Sequence, residues 1–347
     1  MVEQDLILSV ENLRTEFALR QGLLRAVDNV SFDLRRGEVI GLVGESGCGK
    51  SITVRSLLRL IRKPGKSMGR AFFHRVGQQA VDLLALTPMG EEIRRIRGKH
   101  INMIFQEPMN ALSPVHTIAD QMTEGILLHQ KVSRQEARDR SIALLGSVGI
   151  PQPEKRIDAY SFQLSGGMRQ RALIAMAISC NPDLLIADEP TTALDVSVQA
   201  QILKLLKGLQ KQYGMSMLFI THDLAVVAQM VDRVCVMYLG QIVEDSPVRD
   251  LFARPAHPYT LKLLASILDP GDRRGDGAIP SIEGAVPEPI NLPWRCTFFD
   301  RCDSAMAGVC DQKMPELVDI GGGHKVRCFK HHSLEVSKVE YESVYHG

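Results

Sequence analysis

Apolar and polar positions alternate along the first forty residues. Leu6, Leu8 and Val10 share one face, and Val27, Val30, Phe32 and Leu34 form a broken alternation, so strands are predicted there. A turn at Arg35-Arg36-Gly37-Glu38 leads into the apolar run Val39-Ile40-Gly41-Leu42-Val43, and a helical pattern follows from Ile52 to Ile61. Residues 101–105 read as a short buried strand. Residues 117–148 carry Ile118, Met122, Ile126, Ala137, Ile142, Leu145 and Val148 at helical spacings, and Met168–Ser179 is a strongly apolar helix. Leu184–Ala187 and Met217–Ile220 are predicted strands, Val196–Gln210 and Leu224–Met230 helices, and Val234–Met237 with Gln241–Val243 a hairpin around Gly240.

Strands alternating with helices predict an α/β fold with a mostly parallel sheet, an antiparallel β subdomain at the N-terminus and a helical subdomain at about 107–180. After Phe252 the texture changes. Pro255, Pro258, Pro270, Pro280, Pro287, Pro289 and Pro293 interrupt the pattern, and Gly271–Gly277 is polar and glycine-rich. The expected division is a main domain at 1–254, a small irregular extension at 255–335 and a tail at 336–347.

Composition changes this picture little. The chain has 347 residues, 45% of them hydrophobic, enough for one large domain and a smaller one. Forty-one basic residues against 40 acidic give a net charge of +1, no broad reason to bind nucleic acid. Nothing near the start reads as a signal peptide. No apolar stretch approaches the roughly 20 residues of a membrane helix, so work at a membrane requires docking onto a spanning partner. Of seven cysteines, Cys296, Cys302, Cys310 and Cys328 crowd the C-terminal end, whereas Cys48, Cys180 and Cys235 are scattered.

The chemistry concentrates in Gly44-Glu45-Ser46-Gly47-Cys48-Gly49-Lys50-Ser51, which is Gly, four residues, then Gly-Lys-Ser, between a strand and a helix. Glycines let backbone N–H groups turn inward around phosphate oxygens, and the helix start directs its dipole at the same anion. Lys50 would reach the β- and γ-phosphates of ATP, and the Ser51 hydroxyl would hold Mg²⁺. Leu184–Glu189 is an apolar strand ending in two carboxylates. Asp188 is placed for Mg²⁺ and Glu189 for the attacking water; alone, the pair would equally suit a strand capped by solvated acids. Ser165-Gly166-Gly167 at a helix start is a second anion-binding device, or simply a capping serine with flexible glycines.

Together these residues resemble the nucleotide-binding subunit of an ATP-binding-cassette (ABC) transporter, over about residues 6–265. Six motifs stand in the family's order: the phosphate loop Gly44–Ser51, the Q-loop Gln106, the signature Leu164–Met168, the magnesium strand Leu184–Glu189, the D-loop Ala193-Leu194-Asp195 and the switch His222. Met168 stands where the family usually has Gln. The resemblance implies Phe17 as the aromatic on adenine and nucleotide contacts extending to Ile52, Ser165, Gly166, Gly167 and Asp195. It adds Gln106 to the Mg²⁺ ligands and assigns catalytic roles to Glu189, His222, Lys50 and Gln106. It also implies a head-to-tail pair of nucleotide domains, each ATP lying between one phosphate loop and the partner's Ser-Gly-Gly.

The end of the chain, with His257-Pro258-Tyr259-Thr260 and the cysteine group, is similar to the C-terminal extension of oligopeptide/dipeptide importer ATPases, whose relatives include nickel importers. That implies two membrane permease subunits, a second ATPase subunit, an extracytoplasmic solute-binding protein acting indirectly, and a place on the cytoplasmic face of the bacterial inner membrane. The four cysteines, five, seven and seventeen residues apart, lack the close pairs usual for structural Zn²⁺. Spacing and resemblance favour a [4Fe–4S] cluster, with Zn²⁺ or no metal as alternatives. Met109, Leu112 and Val115 are read as either permease contacts or local core.

Overall fold

A computed structural model describes residues 5–106, 111–192, 194–266, 282 and 284–332. The N-terminal strands are long: β1 (Leu6–Leu19) and β2 (Gly22–Arg35) pair antiparallel, and β4 (Gly65–Phe73) pairs with β1 on its other side and with the two-residue β5 (Val81–Asp82) beyond. The broken alternation in β2 has a cause. Register shifts lie between Val10 and Thr15, where Leu13 faces Val30, and Asn29 takes a positive φ of 54°. Sequence pattern missed β4, because only Ala71 and Phe73 of its nine residues are buried.

The larger sheet runs, edge to edge, β11 (Val318–Asp319), β12 (Lys325–Val326), β10 (Gln241–Pro247), β9 (Arg233–Tyr238), β3 (Val39–Val43), β8 (Ser216–Thr221), β7 (Leu184–Asp188) and β6 (Ile101–Ile104). Strands β6, β7, β8, β3 and β9 are parallel to one another, and β10 joins β9 antiparallel. Strands β3, β7 and β8 are buried at every position, as expected of parallel strands covered on both faces. Their period of two divides them between two cores. Val39, Val43, Leu185, Ala187, Met217 and Phe219 face the helical side of the protein. Ile40, Leu42, Leu184, Ile186, Leu218 and Ile220 face the antiparallel sheet, with the helices Lys50–Leu57 and Glu91–Ile96.

Two expected helices are corrected by the structure. The first helix runs Lys50–Leu57 and does not reach Ile61, because Arg59 adopts a left-handed φ of 55°. The segment 117–148 is two helices, Ile118–His129 and Arg134–Ser147, each started by its own cap: a Thr117/Asp120 capping box and Ser133. Leu112 is core, at 3% exposure, whereas Val115 is 74% exposed. Met109, Ala193 and the Gly271–Gly277 stretch lie outside the described residues.

The C-terminal residues continue the large sheet. Strand β10 (Gln241–Pro247) pairs with β9 and also with β12 (Lys325–Val326), which pairs with β11 (Val318–Asp319). Fully buried Glu244 holds this junction together. Its oxygens accept from the Ala256 and His257 N–H groups at 2.7 and 2.9 Å, and Oε1 lies 2.7 Å from His324 Nε2. Each such buried donor left unmade would cost about 1–3 kcal/mol. Nearby, Phe298 fits against Tyr238 and Tyr259, with ring centres 5.1 and 5.4 Å away.

Candidate functional site

Parallel pairing brings distant chain positions to one edge. Val43 is level with Thr221, Asp188 with Ile220 and Ile104 with Ala187, so the chain leaves all four strands at nearly one height. The segments that leave them carry Gly44–Ser51, His222, Glu189 and Gln106. This is the carboxyl edge, where open α/β sheets take ligands.

After β3 the backbone turns through positions that exclude a side chain. A Cβ on Gly44 (φ 150°) would lie 2.2 Å from the Met237 carbonyl oxygen, and one on Gly49 (φ 106°) 2.2 Å from that of Ala26. Gly49 caps the following helix without any side-chain hydrogen bond, leaving the first N–H groups to an anion. The Lys50 ammonium donates to the Gly44 and Glu45 carbonyls at 2.8 and 2.9 Å. Cys48 is buried beneath the loop, and burial raises its pKa. Beside the loop lies a cleft of about 430 Å³. Ser46, Gly47, Gly49, Lys50, Ser51 and Ile52 line it, together with Gln106 and Glu189, and Phe17, Leu19, Leu24 and Pro289 give it an apolar wall.

Ser51 Oγ donates to Asp188 Oδ1 at 2.9 Å. Asp188 Oδ2 is buried without a hydrogen-bond partner among the described residues, and burial raises the pKa of this carboxyl. A hydroxyl lining the cleft and an unpartnered buried carboxylate oxygen are a donor set that fits Mg²⁺. Next door, Glu189 sits at a positive φ of 47°, a conformation uncommon outside glycine. Three side chains converge on its carboxylate. Gln106 Nε2 donates at 3.0 Å, Thr192 Oγ1 donates at 2.8 Å, and His222 Nδ1 lies at 3.4 Å.

Other expected site residues lie elsewhere. Ser165 caps the helix Gly166–Ile178 by accepting from Met168 N–H, and Ser165 and Gly166 are exposed. Asp195 caps Val196–Tyr213 through Val198 N–H at 2.9 Å. Neither segment lines this chain's cleft. Sequence reading missed Thr192, Pro289 and the pair Glu45–Arg301. Pro289 and the Glu45–Arg301 pair make long-range contacts that leave no local signal, whereas Thr192 stands only three residues from Glu189.

The four C-terminal cysteines border one small cavity with His257, Phe298 and Phe299. Burial pushes the Cys296 thiol up to about 11, with the other three thiols adding to the effect, and holds His257 down to about 3. No three His, Cys, Asp or Glu side chains among the described residues converge on a single-ion site. No helix among them is long and apolar enough to cross a membrane.

A phosphate loop on a buried parallel strand, an Asp-Glu strand end two strands away and a flanking antiparallel sheet define an ATP-binding-cassette ATPase. The comparisons agree. A family profile described as ABC transporter matches residues 27–192, and one described as oligopeptide/dipeptide transporter, C-terminal region, matches 243–310. A probable peptide ABC transporter ATP-binding protein of Sinorhizobium fredii is 47% identical over 94% of this chain and 95% of its own length. The oligopeptide transport ATP-binding protein AppD of Bacillus subtilis is 46% identical over 93% of this chain and 96% of its own. Among solved structures, the dimeric post-hydrolysis ATP-binding cassette MJ0796 bound to ADP and Pi superposes with a TM-score of 0.61. It is 25% identical and covers 70% of this chain and 99% of that one. The chain belongs to the ABC transporter ATP-binding family, in the branch that carries the oligopeptide/dipeptide C-terminal region.

A proton and Mg²⁺ compete for Asp188. Because its pKa is raised, the protonated form persists to higher pH than in an ordinary carboxyl. Mg²⁺ affinity of the ATP-loaded chain, measured by titration, is expected to fall about tenfold per pH unit below that raised pKa. An affinity that stays flat down to the ordinary carboxylate range would contradict this.

Proposed function

We propose that this chain is the ATP-hydrolysing subunit of a membrane importer for peptides. The convergence of Gln106, Thr192 and His222 on the Glu189 carboxylate, beside a complete phosphate loop, carries the chemical half of the reading. The cargo half is supported by relatives named for peptide, oligopeptide and dipeptide transport, which favours peptides over nickel.

Hydrolysis here is mainly positioning and charge neutralisation. The phosphate loop and Lys50 hold the β- and γ-phosphates, and the adenine rests on Phe17. Ser51 and Asp188 hold Mg²⁺, with Gln106 beside them, and the ion supplies charge neutralisation at the phosphate oxygens. Glu189 orients the attacking water and takes up its proton. Gln106 and His222 hold that carboxylate and sense the γ-phosphate. Ser165-Gly166-Gly167, with Ser165 and Gly166 exposed, serves together with Asp195 the ATP of a second ATPase subunit, so binding closes the pair and hydrolysis reopens it.

Two permease subunits complete the transporter at the cytoplasmic face of a bacterial inner membrane, with a solute-binding protein outside. Exposed apolar side chains suit a permease helix: Val115, and Tyr160 and Phe162, whose rings stack 5.5 Å apart and whose segment is joined to 113–117 by the Thr117–Tyr160 bridge and the Ser161–Ser113 hydrogen bond. Buried Leu112 belongs to the core and does not take this role. The division of labour falls near residue 254, the ATPase before it and the extension after it.

The four cysteines bind a [4Fe–4S] cluster. All four border one cavity, yet no three side chains meet at one point among the described residues. The support is that shared cavity and the wide sequence spacing, which lacks the close pairs usual for one tetrahedral Zn²⁺. The cluster's role is structural, holding a loop with little apolar core of its own.

Two outcomes are expected. Glu189→Gln should bind ATP as the wild type does and lose hydrolysis by about a thousandfold; steady turnover at the wild-type rate would remove Glu189 from this role. Anaerobically purified chain should contain about four irons per molecule, and protein free of iron would refute the cluster.

A further inference from the structure

The extension grips the phosphate loop, and nothing in the ATPase chemistry described above requires it to. Arg301, whose side chain is 5% exposed, makes a two-pronged pair with Glu45: Nη1 to Oε2 at 2.8 Å and Nη2 to Oε1 at 3.1 Å. The same guanidinium reaches Tyr238 Oη at 3.5 Å and the Ile282 carbonyl at 3.4 Å. Glu45 is held on its other side as well, its N–H donating to Tyr259 Oη at 2.9 Å. Its carbonyl then accepts from Lys50, the residue aimed at the phosphates. A short relay therefore runs from Arg301 through Glu45 to Lys50.

Arg301 is also part of the cysteine loop. It ends the turn Phe299–Arg301, which is bracketed by Cys296 and Cys302. Phe299 N–H donates to the Cys296 carbonyl at 3.1 Å, Cys302 N–H to the Phe299 carbonyl at 3.3 Å, and Cys296 N–H to the Cys310 carbonyl at 3.0 Å. The extension meets the nucleotide cleft a second time. Arg25 N–H donates to the Pro289 carbonyl at 2.9 Å and Asn291 N–H to the Leu23 carbonyl at 3.0 Å, which sets Pro289 in the apolar wall beside Phe17.

We propose that Arg301 is a positioning residue for the phosphate loop, and that through it the order of the cysteine loop sets nucleotide affinity. A bidentate pair between a buried guanidinium and a part-buried carboxylate fixes direction as well as distance. Removing one partner strands the other's charge, so the loop must rearrange to solvate it. Ligation of the cysteines would stiffen the turn that carries Arg301. Loss of that ligation would loosen the hold on Glu45, and with it the placement of Lys50.

The inference rests on reading Gly44–Ser51 as the phosphate site, and the test separates the two. ATP and ADP dissociation constants are measured on the full-length chain by displacement of a fluorescent analogue. Amide hydrogen exchange is followed over residues 44–51 and over the distant helix Arg134–Ser147. Arg301→Ala should weaken both nucleotides about tenfold or more, with Arg301→Lys between it and the wild type. Exchange over 44–51 should quicken while the distant helix is unchanged. Arg301→Ala combined with Glu45→Gln should be no worse than the weaker single variant, since both remove one interaction. Cys302→Ser, which leaves both partners in place, should quicken exchange over 44–51 in the same direction.

Nucleotide affinity within about twofold of wild type in Arg301→Ala would overturn the positioning role. If that variant does not fold, the same result in Arg301→Lys would do so. Unchanged exchange in Cys302→Ser would overturn the link to the cysteine loop. Wild-type chain that binds no ATP would bring down the nucleotide reading itself, whatever the variants do.

Discussion

In-register pairing of the parallel strands β6, β7, β8 and β3 is the constraint from which the rest follows. Four segments far apart in sequence reach the same edge only because Ile104, Ala187, Phe219 and Gly41 belong to one continuous ladder. A slip of one residue in β7 would turn Leu185 and Ala187 into the opposite core and move Asp188 off Ser51. The two-sided burial of the strands makes such a slip expensive. The hydrophobic pattern thus secures a geometry in which a hydroxyl, two carboxylates, an amide and an imidazole meet.

What assembles at that edge is a graded set of environments. Asp188 is enclosed, its pKa raised by burial, and one oxygen lacks a hydrogen-bond partner among the described residues. Glu189, one residue on, has left the strand through a left-handed turn and is reached by an amide, a hydroxyl and an imidazole. Adjacent carboxylates in such different settings suit different work, one to hold a cation and one to handle water. The signature serine and Asp195 act here as helix caps, and neither lines this chain's cleft.

Much of this was legible in the sequence because it is local. Gly44–Ser51 between a strand and a helix, Leu184–Glu189 and the period-two strands all announce themselves within a dozen residues, and the α/β fold follows from their order. Other features are not local. β4 exposes most of its side chains and so shows no alternation. The break after His129 comes from caps hidden inside a continuous apolar rhythm. Leu112 reads the same whether it packs inward or waits for a partner, and burial decides for the core. Arg301 lies 256 residues from Glu45, and no spacing rule links them. The cysteines were visible as a group, but that they border one cavity depends on the folded loop.

The central claim is that this ATPase works on a membrane transporter. The most direct measurement is to tag the chain, purify it gently from its native membranes and identify its companions by mass spectrometry. The account predicts two permease subunits, with a second ATPase subunit of the same family or a second copy of this one. Recovery away from the membrane with ribosomal or nucleic-acid partners would contradict it and leave only the ATPase chemistry standing.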